Sequence, residues 1–195
     1  MSTTHIVTSH GRARSGRMPW PFKVAIAVGV IAVMIGMVVA QGKEGVKGPK
    51  RSAAGLPLET IKVVGESFET EIAADTPSRS KGLGGRTEIG RNEAMLFVFP
   101  VTQPLGFWMK DCDMDIDLAF MDRNGVITAV HSMKHEDPKG KDETQEQYEA
   151  RLKRYDSGKD AIYAMEFQPG TLERLGLKEG QTITLDHGRM RAYLR

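Results

Sequence analysis

The chain has a single cysteine, few aromatic residues and almost no excess charge of either sign. Cys112 is alone among 195 residues, which excludes an internal disulfide, a CxxC redox pair and a zinc site built on several thiolates. Lys and Arg number 27 and Asp and Glu number 25, and this balance excludes a nucleic-acid binder that depends on a concentrated positive field. The GxSxG and HExxH motifs are also absent, so no nucleophile elbow or zinc-protease helix is predicted.

One long apolar segment lies near the N-terminus. All 17 residues of Val24–Ala40 are apolar. As a helix they span ~25 Å at ~1.5 Å per residue, and Trp20 with a snorkelling Lys23 extends this toward the ~30 Å of a bilayer core. The sequence therefore predicts one transmembrane helix within residues 19–40, or a signal sequence.

The charges that flank this segment favour an anchor with a cytoplasmic N-terminus. Residues 1–18 carry arginines and no acid, whereas the basic residues after the span are diluted by Glu44. The positive-inside rule then predicts a single-pass protein of the cell membrane with its C-terminal domain outside. Secretory apolar regions run ~7–15 residues, so the length favours an uncleaved anchor, and cleavage near Ala40 would give a secreted protein.

The remainder divides into a linker and a domain. Residues 41–57 carry Gly and Pro at intervals that break any periodicity, which predicts a flexible linker with a reach of ~20–25 Å. Residues 58–195 have about the commonest size of a single domain. We therefore predict one extracytoplasmic globular domain on a tether.

Segments of strand character dominate that domain. Asp122–Gly125 is a strong hairpin turn, and short helices are predicted to begin at Thr76 and Thr171. The pattern predicts an α+β, mainly β fold, with short helices around a small curled or barrel-like sheet, antiparallel or mixed. The predicted strands are Thr60–Val64, Phe68–Ile72, Ala94–Phe99, Leu105–Lys110, Ile116–Met121, Val126–Met133, Ala161–Phe167 and Gln181–Asp186.

Residues 134–160 form a charged insertion, with seven basic and eight acidic side chains in 27 positions. Within it, Asp142–Tyr155 is predicted to be helical with a capping box at Thr144 and Gln147. Tyr148, Leu152 and Tyr155 fall on one helical face and would rest on the domain. The charged surface is either a solvated face or a docking site for a protein partner.

Several motifs of the domain occur in the order found in a known family. They are Gly82-Leu83 with Arg86, Met95–Phe99, Phe107–Lys110, Asp117 with Phe120, Asp122 and Gly125, and the closing segments Tyr163–Gly170 and Leu175–Gly180. Over residues 60–186 the chain resembles the bacterial and archaeal domain of unknown function 192. The resemblance implies a secreted or membrane-anchored domain and implies no activity.

The chain departs from that family's pattern at several positions. Gly84 stands where a methionine is usual, Asp111-Cys112 where Asn-Thr is usual, and Asp115 where a proline is usual. The cysteines that many members carry after the position of His131 are missing, and the charged insertion takes their place. The resemblance therefore implies no role for these positions in this chain.

The Phe107–Lys110 segment is the first candidate site. Phe107 and Met109 alternate with Trp108 and Lys110, so each pair would face one side of a strand. A tryptophan beside a lysine can form a stacking platform with a charged rim for a sugar or a planar ligand. The alternative is that Trp108 packs at the edge of the core while Lys110 pairs with a carboxylate such as Asp117.

Acidic residues supply a second candidate. Asp111, Asp113, Asp115 and Asp117 alternate with apolar residues, so in an extended chain their carboxylates would share one face. The first three could hold a divalent metal such as calcium, although Ile116 replaces the glycine that an EF-hand loop requires. The alternative is a solubilising rim, and no other cofactor is predicted.

Two arginines supply a third candidate. Arg79 and Arg86 bracket a glycine-rich turn, and such a turn can bind an anion through guanidinium and backbone N–H groups. The alternative is an ordinary helix exit with structural ion pairs. Cys112 is a poor nucleophile candidate because its acidic neighbours would raise the thiol pKa.

Together these observations favour a membrane-anchored, non-catalytic binding or accessory module. The predicted ligand is a small polar molecule, an envelope glycan or a protein partner, and the predicted binding residues are Arg79, Arg86, Phe107, Trp108, Lys110 and Asp117. Two alternatives stay open, so whether the chain is an enzyme is undecided at this point. One is an envelope hydrolase that uses the Asp cluster, with or without a metal, and the other is a structural partner of another membrane protein that docks through the charged helix.

Overall fold

A computed structural model describes residues 50–194. The predicted cytoplasmic segment 1–18, the predicted transmembrane segment 19–40 and residues 41–49 lie outside the described residues. Between residues 50 and 194, no helix has the length and apolar character needed to cross a membrane. Residues 50–57 form a turn in which the Leu58 amide donates to the Lys50 carbonyl at 2.8 Å, so this part of the predicted linker is structured.

Eight strands and four short helices make up the described part of the chain. The strands are Leu58–Val63 (β1), Glu66–Ala73 (β2), Glu93–Gln103 (β3), Gly106–Phe107 (β4), Ile116–Met121 (β5), Ile127–Met133 (β6), Tyr155–Asp156 (β7) and Ala161–Phe167 (β8). The helices are Thr76–Lys81 (α1), Gln145–Arg151 (α2), Thr171–Leu175 (α3) and His187–Arg191 (α4). The α+β, mainly β prediction is confirmed.

The main sheet has six strands in the order β1-β2-β3-β8-β5-β6. Among the strands of residues 50–194, only the β2–β3 pair is parallel, and α1 lies in the connection between these two strands. The sheet is therefore mixed, as predicted. Within residues 50–194, β1 and β6 stay at opposite edges, so the predicted barrel-like closure is wrong and the sheet is open.

Apolar side chains cover both faces of this sheet, because alternate residues of each central strand point to opposite sides. On β3, Leu96 belongs to a cluster that includes the helical residues Leu172 and Met190. Its neighbour Phe97 belongs to a second cluster on the other face, with Leu118 and Met109. On β8, Glu166 lies between Met165 and Phe167, which both belong to the first cluster. The Glu166 side chain therefore faces the second cluster.

Two predicted strands are shortened. The strand predicted at Leu105–Lys110 is limited to β4, because the chain leaves the sheet after Phe107 and turns at Asp111, whose φ is +55°. The strand predicted at Gln181–Asp186 is wrong. Only a single bridge joins Thr182 to Val126, and Asp186 then caps α4 by accepting from the Arg189 amide at 2.9 Å.

Candidate functional site

A cavity of about 620 Å³ opens between α1 and the segment that runs from β4 to Cys112. Its walls come from α1, the glycine-rich turn after it, the strands β3 and β4, and residues 108–112. The carboxyl-bearing residue Glu166 of β8 also lines the cavity. Ligand pockets in proteins commonly have volumes of ~300–1,000 Å³, so this cavity has the size for a small molecule.

Arg79 of α1 lies on the rim of the cavity in a fixed position. α1 begins at a capping box formed by Asp75 and Ser78, which orients the short helix. The Arg79 guanidinium donates to the carbonyl oxygens of Ala74 at 2.6 Å and Val98 at 3.1 Å, and it lies 5.3 Å from the centre of the Phe99 ring. These contacts anchor a positive charge at the cavity mouth through main-chain oxygens.

Aromatic rings form one wall of the cavity. Phe107 of β4 makes edge-to-face contacts with Phe97 at 4.9 Å, with Phe99 at 6.4 Å and with Phe120 at 5.2 Å between ring centres. Such contacts hold each ring in one orientation. The wall therefore presents a rigid apolar surface to the cavity.

Trp108 and Lys110 extend this wall toward solvent. The Trp108 ring is half-buried, with the Arg154 guanidinium 3.6 Å and the Lys110 ammonium 5.4 Å from its centre. Lys110 forms an ion pair with Glu149 of α2, and this hydrogen bond raises the Lys110 pKa. The partner of Lys110 is thus Glu149, and the pairing with Asp117 considered above does not occur.

The charged insertion contacts the edge of the cavity. Tyr148, Leu152 and Tyr155 are all buried, and Thr144 caps α2 as predicted. The helix predicted at Asp142–Tyr155 is shorter, because α2 ends at Arg151 and Tyr155 belongs to β7, so the three side chains do not share one helical face. The Tyr148 hydroxyl accepts a hydrogen bond from the Asp111 amide at 3.1 Å, next to the cavity residue Lys110. The insertion therefore packs against the candidate site.

Glu166 is the site residue that sequence reasoning missed. It lies in the middle of the sheet opposite Met95 of β3 and Leu118 of β5, and only 5% of its surface is exposed. Its Oε2 atom has no hydrogen-bond partner in the described part of the chain. Burial raises the pKa of this carboxyl to about 8, against the lowering influence of Arg86. One signal was available, because Glu166 is the only charge in the apolar strand Ala161–Phe167.

Cys112 also lines the cavity but is not activated. Burial raises the pKa of its thiol to about 12, with smaller contributions from Glu166, Asp111 and Asp113. The direction agrees with the sequence-based expectation, although burial is the larger cause. A thiol with this pKa carries almost no thiolate at neutral pH, so Cys112 is a poor nucleophile.

Two of the predicted binding residues lie outside the cavity lining. Asp117 is 1% exposed and accepts hydrogen bonds from the Ser132 hydroxyl at 2.8 Å and the Leu172 amide at 2.9 Å, so it joins β6 and α3 to β5. Arg86 donates to the buried carboxylate of Glu71 at 2.5 Å. The structure thus brings Arg79, Phe107, Trp108 and Lys110 together at one cavity and places Asp117 and Arg86 outside its lining.

Replacing Asp117 by alanine should destabilise the domain without changing the cavity. The change leaves the buried Leu172 amide without an acceptor, which costs about 2 kcal/mol of unfolding free energy. Urea unfolding of the full chain measures this cost. Asp113→Ala, which removes an exposed carboxyl from the same acidic segment, is the control and should stay within about 0.5 kcal/mol of the wild type. Equal stabilities for the two variants would show that Asp117 does not join these elements.

The acidic residues proposed as metal ligands are separated by their partners. Asp115 accepts from Lys134 Nζ at 2.7 Å and from the His135 amide at 3.0 Å, and the hydrogen bond from Lys134 is the main cause that lowers its pKa to about 2. The Asp111 amide donates to the Tyr148 hydroxyl of the charged insertion, and the Asp113 side chain is exposed. Within residues 50–194, no group of three or more His, Cys, Asp or Glu side chains is arranged to hold a metal ion.

The chain is similar to solved structures and to one family model. No curated protein matches the chain. A 1.55 Å crystal structure from Sinorhizobium meliloti 1021, described as a candidate transcription regulator, is 27% identical with a TM-score of 0.50, over 64% of this chain and 88% of that one. A 1.22 Å structure of a protein of unknown function from Novosphingobium aromaticivorans DSM 12444 is 23% identical with a TM-score of 0.56, over 72% of this chain and 94% of that one.

The second of these structures supports the fold alone, because its identity is low. The sequence profile of a family described as "Uncharacterized ACR" matches residues 59–185, which is most of the described domain. The matched range contains every residue that lines the cavity. It also contains the whole six-stranded sheet except the first residue of β1. The chain therefore belongs to the domain of unknown function 192 family.

Proposed function

We propose that this chain is a non-catalytic binding module that takes a small polar ligand in the cavity beside α1. The observation that carries the proposal is the combination of a rigid aromatic wall, a cationic rim and a buried polar floor in one cavity. Aromatic surface with a few converging polar groups is the usual composition of a small-molecule site. Phe107 and Trp108 supply the surface, and Arg79, Lys110 and Glu166 supply the polar groups.

The side chains around the cavity support binding rather than catalysis. Among residues 50–194, no histidine lines it, and the thiol of Cys112 is held protonated. Ser78 and Lys81 have the SxxK spacing of serine–lysine nucleophiles. The Ser78 hydroxyl, however, donates to the Asp75 carbonyl at 3.1 Å within the capping box and does not line the cavity. The residues present thus lack an activated nucleophile with a neighbouring base.

The proposal includes a location for the module. Val24–Ala40 would anchor the chain in the cell membrane, with residues 1–18 in the cytoplasm and the domain outside. A module held there would meet envelope glycans and small solutes. Protease digestion of intact cells that express the full chain tests this topology, and loss of the domain's epitope without lysis is the expected result. Protection of the epitope until lysis would reverse the orientation.

Trp108→Ala should weaken ligand binding at least tenfold, because the indole is a large half-buried surface at the cavity edge. The measurement is a thermal-shift screen of the full chain against neutral sugars, acidic sugars, small carboxylates, amines and divalent cations. A ligand at ~100 times its Kd adds about 2.7 kcal/mol, or roughly 3–6 °C in Tm.

Lys110→Met and Lys159→Met form a matched pair for the same screen. Both lysines are in ion pairs with a glutamate, but Lys159 pairs with Glu179, away from the cavity lining. Only Lys110→Met should reduce the shift given by an anionic ligand. A screen in which no compound class shifts the Tm would refute the module. Catalytic turnover that Trp108→Ala abolishes would refute the non-catalytic part.

A further inference from the structure

The floor of the cavity carries an unsatisfied polar group. Glu166 is buried between Met95 and Leu118, lines the cavity, and leaves its Oε2 atom without a hydrogen-bond partner in residues 50–194. A buried polar atom without a partner costs about 1–3 kcal/mol, and proteins rarely keep one. An apolar residue would fit the rest of this strand better. A ligand that brings a polar partner to Oε2 would account for a carboxyl at this position.

The protonation state of Glu166 decides which partner it accepts. Burial raises the pKa of its carboxyl to about 8, so at neutral pH it is mostly an uncharged acid with one O–H to donate. Arg86 opposes this shift from its ion pair with Glu71, and the neighbouring Cys112 thiol is also uncharged at neutral pH. The other charged groups that line the cavity are Arg79, Lys81, Lys110 and Asp111. An uncharged donor among mostly cationic neighbours favours an anion.

We infer that the cavity binds a small carboxylate that carries a ring: the carboxylate accepts a hydrogen bond from Glu166 and the ring packs on Phe107 and Trp108. This inference rests on the proposed binding function and names its ligand class. The cationic rim of Arg79 and Lys110 adds favourable electrostatic energy for the anion. Aromatic acids and uronic acids share this chemistry, so they are the two sources to be distinguished.

Isothermal titration of the full chain tests the inference with four probes. Benzoate and glucuronate are the carboxylates, and benzamide and glucuronamide are their uncharged counterparts. At pH 7 each bound carboxylate should exceed its amide at least tenfold in affinity. The stronger of the two carboxylates identifies an aromatic or a sugar source.

The pH dependence of binding separates the contribution of Glu166 from that of the cationic rim. With a pKa of about 8, roughly 3% of Glu166 keeps its proton at pH 9.5, so affinity for the carboxylate should fall up to about 30-fold between pH 7 and pH 9.5. Glu166→Gln keeps a donor and removes the titration. This variant should bind the carboxylate within about threefold of wild type at pH 7 and show little change at pH 9.5.

Three results would overturn the inference. The first is equal affinity for each acid and its amide. The second is an affinity for the carboxylate that rises with pH, and the third is failure of both carboxylates to bind at 10 mM. In each case the wider screen of sugars, amines and cations shows whether the binding module itself survives. A neutral sugar or an amine that binds and depends on Trp108 would preserve the proposed function and refute only the ligand class.

Discussion

Between pH 5 and pH 8 the wild-type domain should lose unfolding free energy, and Glu166→Gln should remove most of this loss. The folded state holds the Glu166 proton up to a pKa of about 8, whereas an unfolded glutamate releases it near 4.5. The folded state therefore binds more protons in this window, and its stability falls as pH rises through it. The size of the fall is on the order of 3–5 kcal/mol, because each pKa unit corresponds to about 1.4 kcal/mol.

Urea unfolding of the full chain at pH 5, 6, 7 and 8 measures this effect. The glutamine variant should equal the wild type near pH 5 and exceed it by about 3 kcal/mol or more at pH 8. Glu173→Gln, which changes an exposed glutamate of α3, is the matched control and should keep the wild-type slope. Asp115, with its pKa near 2, titrates below this range. Parallel slopes for the wild type and Glu166→Gln would mean that the buried carboxyl is charged when folded.

Gly125→Ala should destabilise the domain by about 2–5 kcal/mol, the largest loss expected from a single added methyl group. Gly125 ends the β5–β6 hairpin with φ +78°, where an L side chain costs about 1–2 kcal/mol. A Cβ there would also lie 2.1 Å from the Ile183 carbonyl oxygen, because Ile183 donates its amide to Gly125 at 2.9 Å. Forcing these backbones apart adds about 1–3 kcal/mol.

Gly180→Ala separates the two causes. Gly180 has φ +86° but nothing within 4 Å of the position of a Cβ. Its substitution should therefore cost only the conformational part, about 1–2 kcal/mol. Denaturant unfolding of both variants gives the difference directly, and thermal melts should place Gly125→Ala below Gly180→Ala. Equal losses would show that the contact with Ile183 relaxes without cost.

The sequence was sufficient for elements whose signals are local. The capping box at Thr144, the hairpin turn at Asp122–Gly125 and the alternating strand Glu66–Ala73 each depend on residues a few positions apart. Alternation alone was not sufficient at Gln181–Asp186, where Ile183 and Leu185 alternate with polar residues yet only one bridge forms. In this segment the Ile183 amide donates to the Gly125 carbonyl, and the chain then leaves the sheet because Asp186 caps α4.

The site was partly predictable for the same reason. Trp108 and Lys110 are neighbours in sequence, and a single segment was enough to suggest a platform. The position of Asp117 beneath α3 was not predictable, because alternation gives the side of a strand on which a residue lies but not the helix that covers it. Glu166 was missed because its meaning depends on the strands beside it. Met95 lies about 70 positions away along the chain, and no local pattern records that pairing.

The position of β8 has a consequence for the order in which the chain can assemble. β8 is synthesised after β1 to β7, yet it pairs with β3 on one side and β5 on the other. Until it emerges from the ribosome, the sheet consists of two separate pieces, β1-β2-β3 and β5-β6, each with an unpaired apolar edge. Such edges recruit other chains, so a nascent or truncated chain that ends before Ala161 is prone to aggregate. Completion of the six-stranded sheet therefore coincides with insertion of the strand that carries Glu166.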